Sequence, residues 1–526
     1  MPIRWGRGLA PAAARPGLDD IKAVLRSGLA HARSKGAEYA DIRYVHQTSE
    51  ELAVAGGKPA DAIAGTGIGV GVRCLARGAW GFASANALAL PAVKEAAALA
   101  AKVALASASA NVKPASLSQT PGVVDAWTSP VAAPAEAAVS VPAPAPSSAP
   151  APEHDPFAVK GEEKLTLLAG WEERMRTSDP RIRHSRAEAA FLKEYKVFAS
   201  SAGSLIEQEL YFTQAVLSAT ARGAGSGVPA GGDAAQARQA IRSSSGGWEA
   251  LAGTGWKLRS PAAGDCGDGF QVAGRVAREA VTLLEAPAFS GGPVDLIIDP
   301  AQMASVLKET VATPPHWPGT HGGGVPSSAV SGVLSRFAVL AGAPGLSVSC
   351  DATIPGAPGS YGYDDEGVPG QAVPLLRNGA VVGELAALDA GEGRNSTGTM
   401  RAPSGHRPPA LEISNLSLEP GDWRAAELVR DTPSGVYLDT GVAWEIKDGA
   451  FGRMLRYPAS LEVAGGSLWP RLDAVADAEY WAVHAPPWDE DIGPLRGARE
   501  GFGSSPMRFR QVRLRSQERQ GEGGPR

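Results

Sequence analysis

The sequence predicts an α+β fold, in which an α/β N-terminal part is followed by a large β-rich C-terminal domain. Two observations lead to this prediction. Between Gly17 and Gly36, apolar side chains recur at helical spacing behind two early aspartates, which the helix dipole favours at that end. After Gly292, short alternating runs are separated by Gly, Pro, Asn and Asp, which is typical of strands joined by tight turns.

The individual elements follow from local patterns. Pro91 suits the first turn of an alanine-rich helix, and Asn378-Gly379 supplies the positive φ angles of a two-residue hairpin turn. In the first half of the chain we predict a helix at 17–36, strands at 40–46 and 67–75, helices at 92–108 and 162–176, and strands at 194–199 and 207–218.

The length of 526 residues predicts several domains, and composition places their boundaries. A stretch of Ala, Pro, Ser and Val after the alanine-rich helix buries too little apolar surface to offset its ordering entropy. The Gly- and Ser-rich residues 223–247 form a second loose region. We predict an N-terminal domain at 18–106, an Ala/Pro-rich linker at 107–154, a central domain at 155–288, a β-rich C-terminal domain at 289–516 and a disordered tail at 517–526.

Composition narrows the class of protein. The chain is 44% hydrophobic and 20% charged with a formal net charge of -5, as is usual for a soluble globular protein. Three distant cysteines without a CxxC pair argue against a disulfide framework and against a local zinc ribbon. Nothing in the charge balance favours nucleic acid or an anionic membrane as a partner. We therefore expect a soluble, cytoplasmic protein that binds neither nucleic acid nor membrane.

Short segments occur along the chain in an order that points to a known family. They are GAEYADIR at 36–43, GIGVGVR at 67–73, GAWGFAS at 78–84, DPFAV at 155–159, FASSAGS at 198–204, DP at 299–300, YDDEGVP at 363–369, MR at 400–401 and NLSLEPG at 415–421. Together they make the chain, from about residue 20 to about residue 515, resemble the TldD/PmbA family of zinc metallopeptidases and their metal-free homologues. The resemblance implies the same α+β architecture.

The resemblance also implies where a zinc site belongs. In the peptidase members, the helix after the Asp-Pro pair carries HExxxH, and a cysteine near the C-terminus completes the site. Imidazoles and a thiolate hold zinc with one open position, and the glutamate takes a proton from the bound water. Here Lys308 and Thr313 stand at the histidine positions and Glu309 stands at the glutamate position. The cysteine position falls near Trp488, and no cysteine follows Cys350.

The replaced ligands predict that this chain has no zinc cofactor, although active members of the family hold zinc. A protonated lysine cannot ligate the metal, and its charge repels a cation. We hypothesise that Lys308 forms an ion pair with Glu309 or Asp351 and so holds the former pocket together. The family also inserts a further hairpin after the position of residues 443–449, which this chain lacks.

Other patterns have competing interpretations. His316 and His321 repeat the spacing of the lost histidines, but the prolines around them forbid a regular helix and favour a surface loop. We interpret the acidic run 364–366 as a turn that serves structure or binds a peptide terminus, rather than as a catalytic pair. The glycine-rich run 67–72 lacks the spacing of a phosphate cradle and belongs to a strand. Residues 508–515 alternate like a final edge strand with one solvated face.

We therefore predict a degenerate, non-catalytic homologue, a pseudoenzyme, that assists a zinc-bearing partner in the proteolysis of unfolded peptides. The resemblance implies a homo- or hetero-oligomer with a TldD/PmbA paralogue, in which the chains enclose a chamber for those peptides. Two alternatives stay open. In the first, the chain is an active zinc metallopeptidase that keeps Glu309 as its base. Its rebuilt metal site would use His316, His321 or His484. In the second, the chain is a stand-alone peptide-binding scaffold.

Overall fold

The structure, a computed structural model, describes residues 15–110, 114–118, 122–129, 154–223, 234–289, 291–312, 340, 343–391, 394–456, 468–485 and 499–514. The α-helices in these residues are α1 (Leu18–Ser34), α2 (Leu90–Ser107), α3 (Gly161–Arg176), α4 (Gly269–Glu285), α5 (Pro300–Leu307) and α6 (Ala425–Arg430). None of these described helices is both long enough and apolar enough to cross a membrane.

A seven-stranded sheet forms the first half of the molecule. Its strands are β1 (Tyr39–Ala55), β2 (Lys58–Ala76), β3 (Ala79–Ala85), β4 (Val124–Thr128), β5 (Ile182–Ser200), β6 (Leu205–Gly223) and β7 (Ala234–Ser244). The order is β3-β2-β1-β5-β6, and both β4 and β7 pair with the outer edge of β6. Helices α1 and α2 bury Ile42, and helices α3 and α4 bury Leu52. These two residues lie on the same side of β1, so all four helices cover one face of the sheet. The opposite face remains open to the second half of the chain.

Two stretches that the sequence predicts to be loose contain strands. Within the predicted linker 107–154, β4 runs parallel to the start of β6, and its Trp127 packs against Gly362. Within 223–247, β7 runs antiparallel to the rest of β6. The predictions of a linker and a loop are therefore wrong at these strands. Main-chain pairing with the available edge of β6 stabilises β4 and β7. The side-chain pattern of these two segments does not reveal this pairing.

In the part of the second half that the structure describes, two six-stranded sheets and a short strand pair are present. The strands are β8 (Gly292–Ile298), β9 (Val348–Asp351), β10 (Ala372–Arg377), β11 (Ala380–Val381), β12 (Met400–Arg401), β13 (Ala410–Leu411), β14 (Asn415–Leu418), β15 (Ser434–Asp439), β16 (Val442–Lys447), β17 (Ala450–Leu455), β18 (Leu472–Val475), β19 (Ala482–His484), β20 (Gly501–Ser504) and β21 (Met507–Leu514). The sheet orders are β11-β10-β9-β14-β20-β19 and β17-β16-β15-β8-β21-β18, and β12 pairs with β13. Both sheets contribute to one large apolar core.

Tight turns join the strands of this half. Asn378 and Gly379, with φ angles of 49° and 78°, connect β10 to β11, as the sequence predicts. Asp448 and Gly449, with φ angles of 52° and 73°, connect β16 to β17 in the same way. β16 and β17 therefore form an antiparallel hairpin, with an irregularity in the register between Trp444 and Ile446.

The last strand differs from its prediction. β21 pairs with β8 on one side and with β18 on the other, so it is an internal strand and the predicted edge position is wrong. Arg508 is only 1% exposed, and its guanidinium pairs with Asp473 and donates to the Thr432 hydroxyl and to the main-chain oxygen of Asp431. The predicted tail 517–526 lies outside the described residues.

Glycines bring the open face of the first sheet against the second half of the chain. A Cβ added at Gly69 would lie 2.9 Å from the Cα of Gly405, and one added at Gly71 would lie 2.7 Å from the Gly405 carbonyl oxygen. Both positions fall in β2, inside the glycine-rich run, so the prediction of a strand is confirmed. The glycines allow two main chains to approach each other more closely than side chains would permit.

We predict that Gly71→Ala destabilises the protein, because the new methyl group would clash with main-chain atoms that cannot move aside. The expected loss is about 1–3 kcal/mol in the free energy of unfolding. Gly67→Ala is the matched control in the same strand, since its Cβ would meet nothing nearer than Gln47 Oε1 at 4.0 Å. Denaturant titrations should place the control within about 0.5 kcal/mol of wild type. Equal stability of the two variants would contradict the contact.

Candidate functional site

Helix α5 begins as the sequence predicts. The side chain of Asp299 accepts a hydrogen bond from the main-chain N–H of Ala301 at 3.0 Å, and Pro300 occupies the first turn. Met303 and Leu307 are fully buried in the large core, together with others of the predicted apolar stripe. The cap and this stripe fix both the start of the helix and its rotation about its axis.

The end of the helix carries Lys308 and Glu309, two positions that the resemblance assigns to the zinc site. Residues Lys308–Ala312 continue α5 as a π-helical turn, in which Lys308 is partly buried and Glu309 is exposed. In the described residues, no carboxylate oxygen lies within 4.0 Å of the Lys308 ammonium. One oxygen of Asp351 instead accepts hydrogen bonds from the main-chain N–H and hydroxyl of Thr353 at 2.7 and 2.6 Å. The hypothesis of an ion pair with Glu309 or Asp351 is therefore wrong.

The other predicted positions divide into two groups. Thr313, His316, His321 and Trp488 lie outside the described residues. His484 lies at the end of β19, which packs against α5. Burial, and then the charge of Arg242, lower the pKa of His484 to about 4. Its imidazole is therefore neutral near pH 7.

The described side chains do not fit a zinc site. Within the segments that the structure describes, no three His, Cys, Asp or Glu side chains lie close enough together to hold a metal ion. Cys350, the last cysteine, is fully buried in β9 and its thiol contacts the Ser414 hydroxyl at 3.2 Å. Burial also raises the pKa of this thiol, so the thiolate form is disfavoured.

The acidic run 364–366 is a buried structural turn. Asp364 accepts hydrogen bonds from the main-chain N–H groups of Glu366, Val368 and Met400 at 2.9, 2.9 and 3.0 Å. All three acids of the run are at least 95% buried. These contacts agree with the structural interpretation of the run, and they use the oxygens that a peptide terminus would need.

The other two acids of the turn join the two halves of the molecule. Asp365 lies 3.6 Å from the Arg43 guanidinium and 3.1 Å from the Lys196 ammonium, both on the open face of the first sheet. Burial favours its neutral form, but these cations outweigh burial and hold the pKa of Asp365 well below its usual range. Glu366 pairs with Arg73 at 2.5 Å. Sequence reasoning missed these partners, although an arginine inside the otherwise apolar run 67–75 was a signal for Arg73.

A second buried group surrounds the start of α5. The Tyr437 hydroxyl donates to Asp299 at 2.6 Å, and Asp439 pairs with Arg275 at 2.6 Å. Burial, and then the charge of Asp439, raise the pKa of Asp299 to about 7. The cap of this helix is therefore a carboxyl group that titrates far above its usual range.

We predict that Lys308→Met leaves the free energy of unfolding within about 0.5 kcal/mol of wild type, because the ammonium has no partner to lose in the described structure. Met303→Ala on the buried side of the same helix is the control, with an expected loss of about 2–5 kcal/mol. Urea titrations of both variants provide the measurement. A large loss in Lys308→Met would reinstate a structural role for the lysine.

We predict a pH dependence from Asp299. Because its pKa is raised in the folded state, its contribution is fully present below the unfolded pKa of about 4 and is lost as pH rises through about 7. Within that window the free energy of unfolding should fall by at most about 1.4 kcal/mol per pH unit. Asp299→Asn keeps a good helix cap but cannot titrate, so its stability should fall less with pH than that of wild type. Identical pH profiles would contradict the raised pKa.

The chain matches three domains of one family. Residues 40–108 match PmbA/TldA metallopeptidase domain 1, residues 154–284 match the central domain and residues 338–466 match the C-terminal domain. A metalloprotease of Synechocystis sp. is 25% identical over 393 residues, which are 68% of this chain and 74% of that protein. A metalloprotease of Methanocaldococcus jannaschii is 24% identical over 410 residues, which are 76% of this chain and 78% of that protein.

Solved structures share the fold. A Thermotoga maritima protein described as a modulator of a DNA gyrase has a TM-score of 0.65 at 14% identity, covering 95% of this chain and 100% of that chain. TldE from Thermococcus kodakarensis has a TM-score of 0.61 at 15% identity, covering 94% of this chain and 100% of that chain. With three domains matched in order and the fold shared along the chain, this protein belongs to the TldD/PmbA family of metallopeptidase-like proteins.

Proposed function

We propose that the chain is a non-catalytic member of its family, which assists a zinc-bearing partner in the proteolysis of unfolded peptides. The observation that carries this proposal is Lys308 at the first metal-ligand position of the helix. Because Met303 and Leu307 are fully buried, the helix cannot rotate to offer another side chain at that point. An ammonium there repels a divalent cation instead of binding it.

The relatives support the class of reaction. Both curated relatives are named metalloproteases, and one structure with the same fold is named TldE. By resemblance, the family combines zinc-bearing chains with metal-free ones. In the proposed hetero-oligomer, the zinc-bearing partner cleaves the peptide. This chain is the second subunit and completes the shared chamber.

One observation favours a second candidate, an active metallopeptidase with a rebuilt site. β19 packs against α5 and ends at His484, whose lowered pKa keeps the imidazole in the neutral form that ligates metals. Glu309 is exposed at the end of α5, where it remains available as a base. Such a site needs further ligands besides His484.

Two measurements on the purified chain separate these candidates. We expect elemental mass spectrometry, after zinc addition and dialysis, to find well below one zinc ion per chain. We expect no casein hydrolysis by the chain alone. Added to an HExxxH-bearing family member, it should increase the rate of casein hydrolysis and form a complex that size-exclusion chromatography detects.

The variant Glu309→Gln is the control for this experiment. If the chain is non-catalytic, Glu309→Gln should stimulate the zinc-bearing partner as well as wild type does, because the carboxylate takes no part in the reaction. Stoichiometric zinc together with casein hydrolysis that is lost in Glu309→Gln and His484→Ala would overturn the proposal and establish the rebuilt site. A chain that holds no zinc and neither binds nor stimulates the partner would instead favour the remaining alternative, a stand-alone peptide-binding scaffold.

A further inference from the structure

Strand β2 has an edge that no described strand covers along much of its length. β1 pairs with one side of β2 from Lys58 to Ala76. On the other side, β3 pairs only with residues 70–76. Residues 58–67 of β2 are all exposed. Within the part of the chain that the structure describes, a long strand edge therefore remains accessible to solvent.

The turn between β2 and β3 shows which main-chain groups of β2 point away from β1. Residues 76–79 form a two-residue hairpin turn, in which the φ angles of Arg77 and Gly78 are 50° and 74°. The two residues that flank this turn exchange both main-chain hydrogen bonds. Because the N–H and C=O groups of alternate residues in a strand point to the same side, those of the even-numbered residues point away from β1. Ile68 agrees with this direction, since its carbonyl oxygen accepts a hydrogen bond from His406 Nε2 at 3.1 Å.

Two features bound the unpaired part of this edge. The register between β1 and β2 skips Ala60 and is regular from Asp61 onwards. At the other end, His406 already occupies the carbonyl oxygen of Ile68. Segment 61–67 lies between these two limits. Its outward N–H and C=O groups, which no described strand pairs with, belong to Ala62, Ala64 and Thr66.

Segment 61–67 lacks the devices that protect most strand edges. Lysine, proline and bulges usually prevent an edge from pairing with another chain, and here they lie before the segment, at residues 58–60. Asp61 is the charged residue of the segment, and its carboxylate pairs with Arg186 at 2.7 Å. The other side chains are small apart from Ile63, and two of the residues are glycines. Another main chain can therefore approach this edge closely.

The main chain of the segment is complementary to a second copy of itself. The segment extends equally on both sides of Ala64, so an antiparallel pair that uses all of it places Ala64 opposite the same residue of the second copy. Ala62 of each copy then lies opposite Thr66 of the other. Each of these pairs exchanges two hydrogen bonds, because all three residues have outward N–H and C=O groups. Every outward group of the segment therefore gains a partner.

The side chains fit the same arrangement. On the open face of the sheet, Ile63 of each copy lies opposite Gly65 of the other, and Asp61 lies opposite Gly67. Each larger side chain therefore faces a glycine, and no two like charges lie opposite each other. The Ile63 side chain is 58% exposed in the single chain. In the pair, it lies diagonally across from the Ile63 side chain of the second copy and gains an apolar contact.

We propose that the edge of β2 joins two copies of this chain through an antiparallel pair of β2 strands, with a two-fold axis beside Ala64. The two seven-stranded sheets then form one continuous sheet. The contact is short, so we expect a reversible monomer–dimer equilibrium. The inference goes beyond the proposed function and does not rest on it, because segment 61–67 lies in the first half of the chain and helix α5 in the second.

The variant Ala64→Cys tests the register of the pair. In the proposed dimer the two Cα atoms of residue 64 are about 5.5 Å apart, a distance that a disulfide spans. We expect the full-length variant to form a covalent dimer with oxidised glutathione, detected by electrophoresis without reductant. The three natural cysteines are buried and do not compete.

Ala62→Cys is the matched control. Residue 62 is also exposed and lies on the same face of β2 as residue 64. Its two copies would be about 14 Å apart in the proposed pair, which is too far for a disulfide. Ala64→Cys should therefore give at least about tenfold more covalent dimer than Ala62→Cys. Equal cross-linking of the two variants, or none in either, would overturn the proposal.

A proline variant tests the main-chain hydrogen bonds. Ala64→Pro removes an outward N–H and no hydrogen bond to β1, and an edge strand tolerates proline at such a position. Sedimentation velocity should show a dimer dissociation constant at least about tenfold higher than that of wild type. Ala64→Ser keeps the N–H and should match wild type. If Ala64→Pro does not fold, the two cysteine variants still decide the question.

The other results of sedimentation have definite meanings. Dimerisation of Ala64→Pro as strong as that of wild type would place the dimer contact on another surface and overturn the proposal. A wild-type chain that stays monomeric, but whose complex with an HExxxH-bearing family member is lost in Ala64→Pro, would assign the edge to that partner and overturn pairing between copies. Because these assays use the chain without zinc or substrate, their failure leaves the proposed function untouched.

Discussion

The insertion of the acidic turn 364–366 into the open face of the seven-stranded sheet holds the two halves of the molecule together. Asp365 lies between Arg43 and Lys196, and Glu366 reaches Arg73. Buried pairs of this kind add little over an apolar contact, but removal of one partner costs about 3–5 kcal/mol, since the other charge stays buried. The charges therefore select one arrangement of the two halves and disfavour every arrangement that leaves a charge unpaired.

This constraint explains why charged and very small residues share that face of the sheet. Gly69 and Gly71 permit a close approach of β2 to the main chain at Gly405, and Arg73 reaches Glu366 from the same strand. The interface is thus built from charges that fix its register and glycines that set its spacing.

The predictions from sequence were most accurate for features that neighbouring residues in the chain stabilise. The cap at Asp299 and the turn at Asn378-Gly379 depend on residues within a few positions, and both are confirmed. The predictions were least accurate for features that residues distant in the sequence stabilise. The short strand around Trp127 exists because a free edge of β6 receives it, and Arg401 acquires its surroundings from residues as distant as Arg499. Neither the hydrophobic periodicity nor a short sequence motif identifies contact partners that lie so far apart in the chain.

The packing of helix α5 does not depend on a metal ion in the residues that the structure describes. Small zinc domains unfold when the metal is removed, because the metal replaces a core that is too small. Here Met303 and Leu307 lie in a large apolar core shared by two sheets, and Asp299 fixes the first turn. Residue 308 stands past these contacts and is only partly buried. A lysine at that position is therefore compatible with every described contact by which the helix packs, and under the proposed function it would disfavour a bound cation.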